Sequence, residues 1–142
     1  MSLQLIGELE LAGATFRVRW VPQRRRDEII EQAKVRAPGS LATETDPRKY
    51  ADLIAAEEII GWSGLTPLGA LELGYEDFES LEVDAAGEVP FNVPTAQKLY
   101  RECLYADFAS RIDEVSRNLA REVAREKKRA AASSATSSAP LG

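Results

Sequence analysis

The chain has 142 residues, with 18 Lys and Arg against 23 Asp and Glu and a net charge of −5, which makes it one acidic domain's worth of protein. With no histidine and a single cysteine, it has the parts for no Ser-His-Asp triad, His-ligated zinc or copper site, internal CxxC pair or disulfide framework. The charge has the wrong sign for wholesale nucleic-acid binding, and no run approaches the ~18–20 uncharged apolar residues of a membrane span.

The opening MSLQLIGELELAG carries Glu8 and Glu10 and lacks both a basic start and a continuous apolar stretch, so a signal peptide is not expected there. An intracellular setting in which Cys103 stays reduced is the matching expectation. Leu3, Leu5, Leu9 and Leu11 alternate with polar neighbours, apart from a break at Ile6-Gly7. After a turn at Gly13, the run TFRVRWV places Phe16, Val18 and Trp20 on one face and Arg17 and Arg19 on the other. This period of two predicts a β-hairpin over residues 3–21, with Glu8 and Glu10 pairing across the strands with Arg17 and Arg19. Pro22 ends the second strand, since proline cannot donate to a ladder.

Residues 23–36 read as a short helix with Ile29, Ile30, Ala33 and Ala37 at roughly helical spacing, stopped by Pro38-Gly39. Residues 40–45 read as a loop. Asp46-Pro47 is a helix start, a capping acid followed by proline at the first helical position. Tyr50, Leu53, Ile54, Ile59 and Ile60 then form an apolar stripe up to Gly61, and Trp62-Ser63-Gly64-Leu65 reads as a turn anchored by Trp62. Residues 66–89 lack periodicity and read as an acidic loop. Asn92 and Pro94 open a further helix with Ala96, Leu99, Tyr100, Cys103 and Leu104 on one face. Phe108, Ile112, Val115, Leu119 and Val123 recur at spacings of 4, 3, 4 and 4, an amphipathic helix expected to end near Lys127, Lys128 and Arg129, where positive charge suits the dipole. Residues 131–142, AASSATSSAPLG, predict a disordered tail. The expected fold is α+β and mainly helical. A single domain, 1–130, holds the hairpin 3–21 and a part with three or four helices, 23–130, that includes the acidic loop 66–89.

Charge is segregated, with net +3 over residues 1–26, −11 over 27–92 and +3 over 93–142. The acids Glu76, Asp77, Glu79, Glu82 and Asp84 lack the D-x-D-x-D-G pattern of an EF-hand and read as a solvated or partner-facing loop. Arg24, Arg25 and Arg26 read as facing the chain's own acids or a protein partner. Cys103, beside Leu99 and Leu104, reads as a small buried hydrophobe rather than a nucleophile. The stripe of Phe108, Ile112, Val115, Leu119 and Val123, extended by Tyr105, reads first as core, with use as a partner-binding face left open. No catalytic residue, metal or cofactor is expected.

Three stretches follow one another in the chain: ATFRVRWVPQRRRDEI (14–29), containing Trp20; IIGWSGL (59–65), containing Trp62 and Gly64; and GEVPFNVPTAQKLY (87–100), containing Gly87, Pro90 and Phe91. Their order resembles the tail assembly chaperones of long-tailed bacteriophages and prophages. The first is similar to the family's basic strand running into a helix, the second to its Trp-x-Gly-hydrophobic turn, and the third to its Gly-x-x-Pro-Phe segment. The resemblance implies a non-enzymatic protein that holds the tape-measure protein soluble in the host cytoplasm and helps recruit the tail-tube protein. It also implies absence from the mature virion; self-association is possible, and charge and hydropathy lead us to expect no nucleic-acid or membrane partner. On the residues alone, a structural tail or head–tail joining protein and a small acidic regulatory protein stay open as alternatives.

Overall fold

Alternation at the N-terminus builds the expected hairpin in the computed structural model, which describes residues 5–39, 41–103 and 107–137, with side chains to residue 132. Strands β1 (Ile6–Leu11) and β2 (Ala14–Arg19) pair antiparallel from Leu11↔Ala14 to Ile6↔Arg19, with no break at Ile6-Gly7. Ala12 and Gly13 turn between them with φ of 51° and 77°, the left-handed pair that matches the twist of a two-residue hairpin. Glu8 does lie opposite Arg17. The predicted cross-strand ion pairs do not form, however: the register sets Arg19 opposite Ile6 and Glu10 opposite Thr15, and Arg19 reaches Glu57 at 2.9 Å.

Helix α1 (Gln23–Gln32) stops short of the predicted residue 36. Strand β3 (Lys34–Arg36) follows and pairs with β4 (Thr43–Thr45) in a separate two-stranded sheet. Val35, Thr43 and Thr45 are β-branched and favour extended backbone. Helix α2 (Pro47–Glu58) starts as expected, the Asp46 carboxylate accepting from the Arg48 N–H at 3.0 Å. It ends earlier than expected, at Glu58, and Ile59–Ser63 is a fifth strand, β5, antiparallel to β2 with Phe16 opposite Trp62. Ile59 and Ile60 therefore belong to a sheet of order β1-β2-β5, not to a helix stripe. Two β-branched residues before a glycine favour a strand, and pairing them satisfies the second edge of β2.

The acidic loop also corrects the expectation. Thr66-Pro67 repeats the start seen at Asp46-Pro47, opening α3 (Pro67–Glu72) with the Thr66 hydroxyl accepting from the Gly69 N–H at 3.0 Å. A 3-10 turn spans Phe78–Ser80, and Leu65, Ala70, Leu73 and Tyr75 are buried. Helix α4 (Val93–Glu102) is capped by Asn92, which accepts from the Thr95 N–H at 2.8 Å. Helix α5 (Phe108–Ser137) runs past the expected stop near residue 129. Alanine is the best helix former, and neither glycine nor proline intervenes before Pro140. The fold is α+β, with five α-helices among the described residues instead of three or four. Leu3, Leu104 and the end of the predicted tail, 138–142, lie outside the described residues.

The sheet's apolar face carries Phe16, Val18 and Ile59 and packs against Phe108 and Ile112 of α5 and Leu99 of α4. A second cluster joins Val21, Ile29 and Ile54. Helix α5 packs closely on the sheet at Gly7, where a Cβ would stand 2.7 Å from Leu119 Cδ2. Gly7→Val is accordingly expected to cost about 1–3 kcal/mol by overpacking, measured by urea unfolding; a neutral result would show that α5 is not tightly seated there. No helix among the described residues is long and apolar enough to cross a membrane.

Candidate interaction surface and a buried arginine network

Successive positions on a helix point about 100° apart, so Arg24, Arg25 and Arg26 diverge from the first turn of α1. The Arg24 side chain is 92% exposed. Arg25 turns onto Glu57 at 2.6 Å and Glu28 at 3.1 Å. Arg26 turns inward and is 2% exposed. Its Nη1 donates to Asp113 Oδ1 at 2.7 Å, its Nη2 to Glu58 Oε2 at 3.1 Å and to Ser116 Oγ at 3.0 Å, and its Nε to the Val21 carbonyl at 2.9 Å. Ser116 Oγ in turn donates to the Arg19 carbonyl at 2.8 Å and accepts from the Val21 N–H at 3.2 Å. The network fastens α1, the end of β2, the end of α2 and the first third of α5. Arg25 and Arg26 thus face the chain's own acids, one of the two readings of the basic run. The signal for Arg26 in particular was helical phase: it stands one turn before Ile29 and Ile30, on the apolar side of α1.

Burial pushes the Glu58 carboxyl up to about 8, the neighbouring Asp113 adds to the rise, and Arg26 only partly offsets it. Glu58 Oε1 is buried with no hydrogen-bond partner among the described residues, so nothing at that oxygen offsets the cost of ionising the carboxyl. Burial opposes ionisation of Asp113, but the proximity of Glu58 and the hydrogen bonds donated by Arg117 and Arg26 outweigh it and hold Asp113 below its ordinary value. Burial, with Glu58 and Asp113 nearby, likewise raises Tyr100.

These shifts fix the sign of a pH effect. Between the ordinary Glu value of 4.5 and the folded value of about 8, the folded chain binds a proton that the unfolded chain releases, so Glu58's contribution falls as pH rises through that window. Depressed Asp113 acts oppositely, losing its contribution as pH falls through and below 3.8. Glu58→Gln is expected to flatten the decline in melting temperature between about pH 5 and about pH 9 while leaving acid sensitivity in place. An unchanged alkaline decline in that variant would assign it elsewhere.

The predicted partner stripe is corrected in part. Phe108 and Ile112 are wholly buried, Leu119 is 8% exposed, and Val115 and Val123 are half-buried, while Tyr105 lies outside the described residues. A three-stranded sheet with one apolar face needs a cover, and the first half of α5 supplies it. From Arg121 to Ala132 every residue except Val123 is exposed. That part of α5 carries Arg121, Arg125, Lys127, Lys128 and Arg129 against Glu122 and Glu126.

The opposite charge gathers on residues 72–88. Glu72, Glu76, Asp77, Glu79, Glu82 and Asp84 are exposed, with Leu68 68% and Val83 52% exposed beside them. The segment has defined turns: Asp84 Oδ1 accepts from the Ala86 N–H at 2.9 Å and the Glu88 N–H at 3.0 Å. Among the described residues no three His, Cys, Asp or Glu side chains come together as a metal-binding group. Cys103 is buried, which pushes its thiol up to about 12 and leaves it a packing residue.

The motif residues separate into two sets. Trp62 Nε1 donates to the Val89 carbonyl at 2.8 Å, and the Trp62 ring meets Phe91 edge-on at 4.8 Å and Phe16 at 6.0 Å. Gly64 has φ +74°, and a Cβ there would lie 3.0 Å from the Gly13 carbonyl, so the turn after β5 abuts the hairpin turn only with glycine. These are anchors. Gly87 and Pro90 are exposed turn residues, and Trp20 is half-buried outside both apolar clusters, so these three are not core. No protein-family model matches the chain, and neither a curated protein nor a solved structure matches it.

Proposed function

We propose that the chain is a tail assembly chaperone of a long-tailed bacteriophage or prophage, binding and solubilising the tape-measure protein and helping to recruit tail-tube subunits in the host cytoplasm. The observation that carries this reading is convergence. The three stretches that resemble the family, far apart in the chain, meet where Phe16, Trp62 and Phe91 stack and Trp62 bonds to Val89. Packing into one unit supports reading them together rather than as separate short matches.

In this reading the acidic segment 72–88, with Leu68 and Val83 beside it, is the surface offered to the partner. Its apolar side chains cover part of a hydrophobic helix, while the net charge of −5 keeps the complex in solution. Many copies along one long chain act through avidity. Mass spectrometry of particles purified from the encoding phage, set against the infected-cell lysate, tests the reading. The chain is expected in the lysate and not in particles; a stoichiometric particle component would instead be a structural tail protein.

A further inference from the structure

The sheet of order β1-β2-β5 leaves the outer edge of β1 without a strand partner among the described residues. The hydrogen-bond phase identifies what that edge offers. The Trp20 N–H donates to the Leu5 carbonyl at 2.8 Å, one step beyond the Ile6↔Arg19 pair. Leu5, Gly7, Leu9 and Leu11 therefore direct their backbone groups to β2, and Ile6, Glu8 and Glu10 direct theirs outward. An edge of this kind templates another strand.

Beside the edge runs a groove of about 320 Å³ between β1 and α5, floored by Gly7, Leu9, Val115 and Leu119. In an added strand, the residues opposite Gly7 and Leu9 project to the same side as these two and enter the groove. Residues at the alternate positions project beside Glu8 and Glu10, both exposed. Glu114 and Glu122 stand exposed on the groove's α5 side, with Arg111 as the cation there. Among the described residues, none of these four carboxylates is engaged in an ion pair.

We propose that the free edge of β1 and the groove beside it bind an extended segment of a protein partner, with alternate apolar residues in the groove and Lys or Arg between them. Backbone pairing supplies the affinity and the framing carboxylates choose the sign of the partner's charge. A second copy of the chain is a poor occupant, since pairing β1 with β1 brings Glu8 and Glu10 of both copies together across one edge. The site is distinct from the acidic segment 72–88 and stands or falls independently of the tail-assembly reading.

The test titrates the isotope-labelled full chain with a short synthetic peptide in which valine and lysine alternate, followed by amide NMR. Shifts are expected at residues 6–11 and 111–122. Methylating the peptide's edge-facing backbone nitrogens should weaken binding by about tenfold or more, because the ladder bonds are lost. Glu8→Lys with Glu10→Lys should do the same with the circular dichroism spectrum unchanged. The proposal is overturned if the methylated peptide binds equally well, which would reduce the interaction to charge attraction. It is equally overturned if a valine–glutamate peptide binds as tightly, if the shifts fall elsewhere, or if sedimentation shows the edge already taken by a second copy.

Discussion

Arg26→Ala is expected to destabilise the fold by about 3–5 kcal/mol, read as a lowered midpoint in urea or on heating. The guanidinium is 2% exposed, and its removal strips Asp113 of a 2.7 Å partner and the Glu58 carboxyl of a 3.1 Å one. It also leaves the Val21 carbonyl without its side-chain donor. The cost is that of burying groups left unpaired, which exceeds the net worth of the intact ion pairs. Replacing Arg26, Glu58 and Asp113 together with apolar residues of similar volume should therefore recover much of the loss. Arg24→Ala is the internal control: its side chain is 92% exposed, and the change should stay within about 0.5 kcal/mol. Equal effects at the two positions would mean that Arg26 does not clamp the four elements together.

The second large effect concerns α5. Ile112→Asp with Leu119→Asp is expected to abolish the fold itself, visible as loss of the native circular dichroism spectrum, because Ile112 is wholly buried against the sheet and Leu119 is 8% exposed. A buried carboxylate without a partner costs several kcal/mol or forces its own protonation. Phe108→Ala, which adds no charge, should still cost about 3–5 kcal/mol through lost burial and the cavity left against Phe16. Val123→Asp, further along the helix and half-buried, should cost less than about 1 kcal/mol. A native spectrum for the double aspartate variant would return residues 108–119 to the surface and reopen them as a partner face.

What could be read from the residues divides along the range of the forces involved. The hairpin and the starts of α2 and α4 were legible because local rules decide them: alternation in Phe16, Val18 and Trp20, and capping at Asp46-Pro47 and Asn92. Thr66-Pro67 obeys the same rule, but the acids that follow it mask the buried Ala70, Leu73 and Tyr75. Strand β5 is hidden from local rules because the apolar run Ile59-Ile60 directly follows a helical stripe, with Ile60 in phase with Leu53, and only the free edge of β2 decides for extended backbone. Strands β3 and β4 are three residues each, too short for alternation to register. The amphipathic stripe of α5 was legible as a face needing cover. Whether a sheet of the same chain or another protein supplies that cover depends on distant residues, as does the meeting of Arg26 with Glu58, Asp113 and Ser116.

Whether the chain holds another protein is tested by co-expression with the tape-measure protein of the proposed phage, followed by size exclusion of the soluble fraction. A higher soluble yield of the tape-measure protein and co-elution of the two chains are expected, with both effects reduced when Glu76, Asp77, Glu79 and Glu82 are changed to their amides. An unchanged yield with the two chains eluting apart would contradict it.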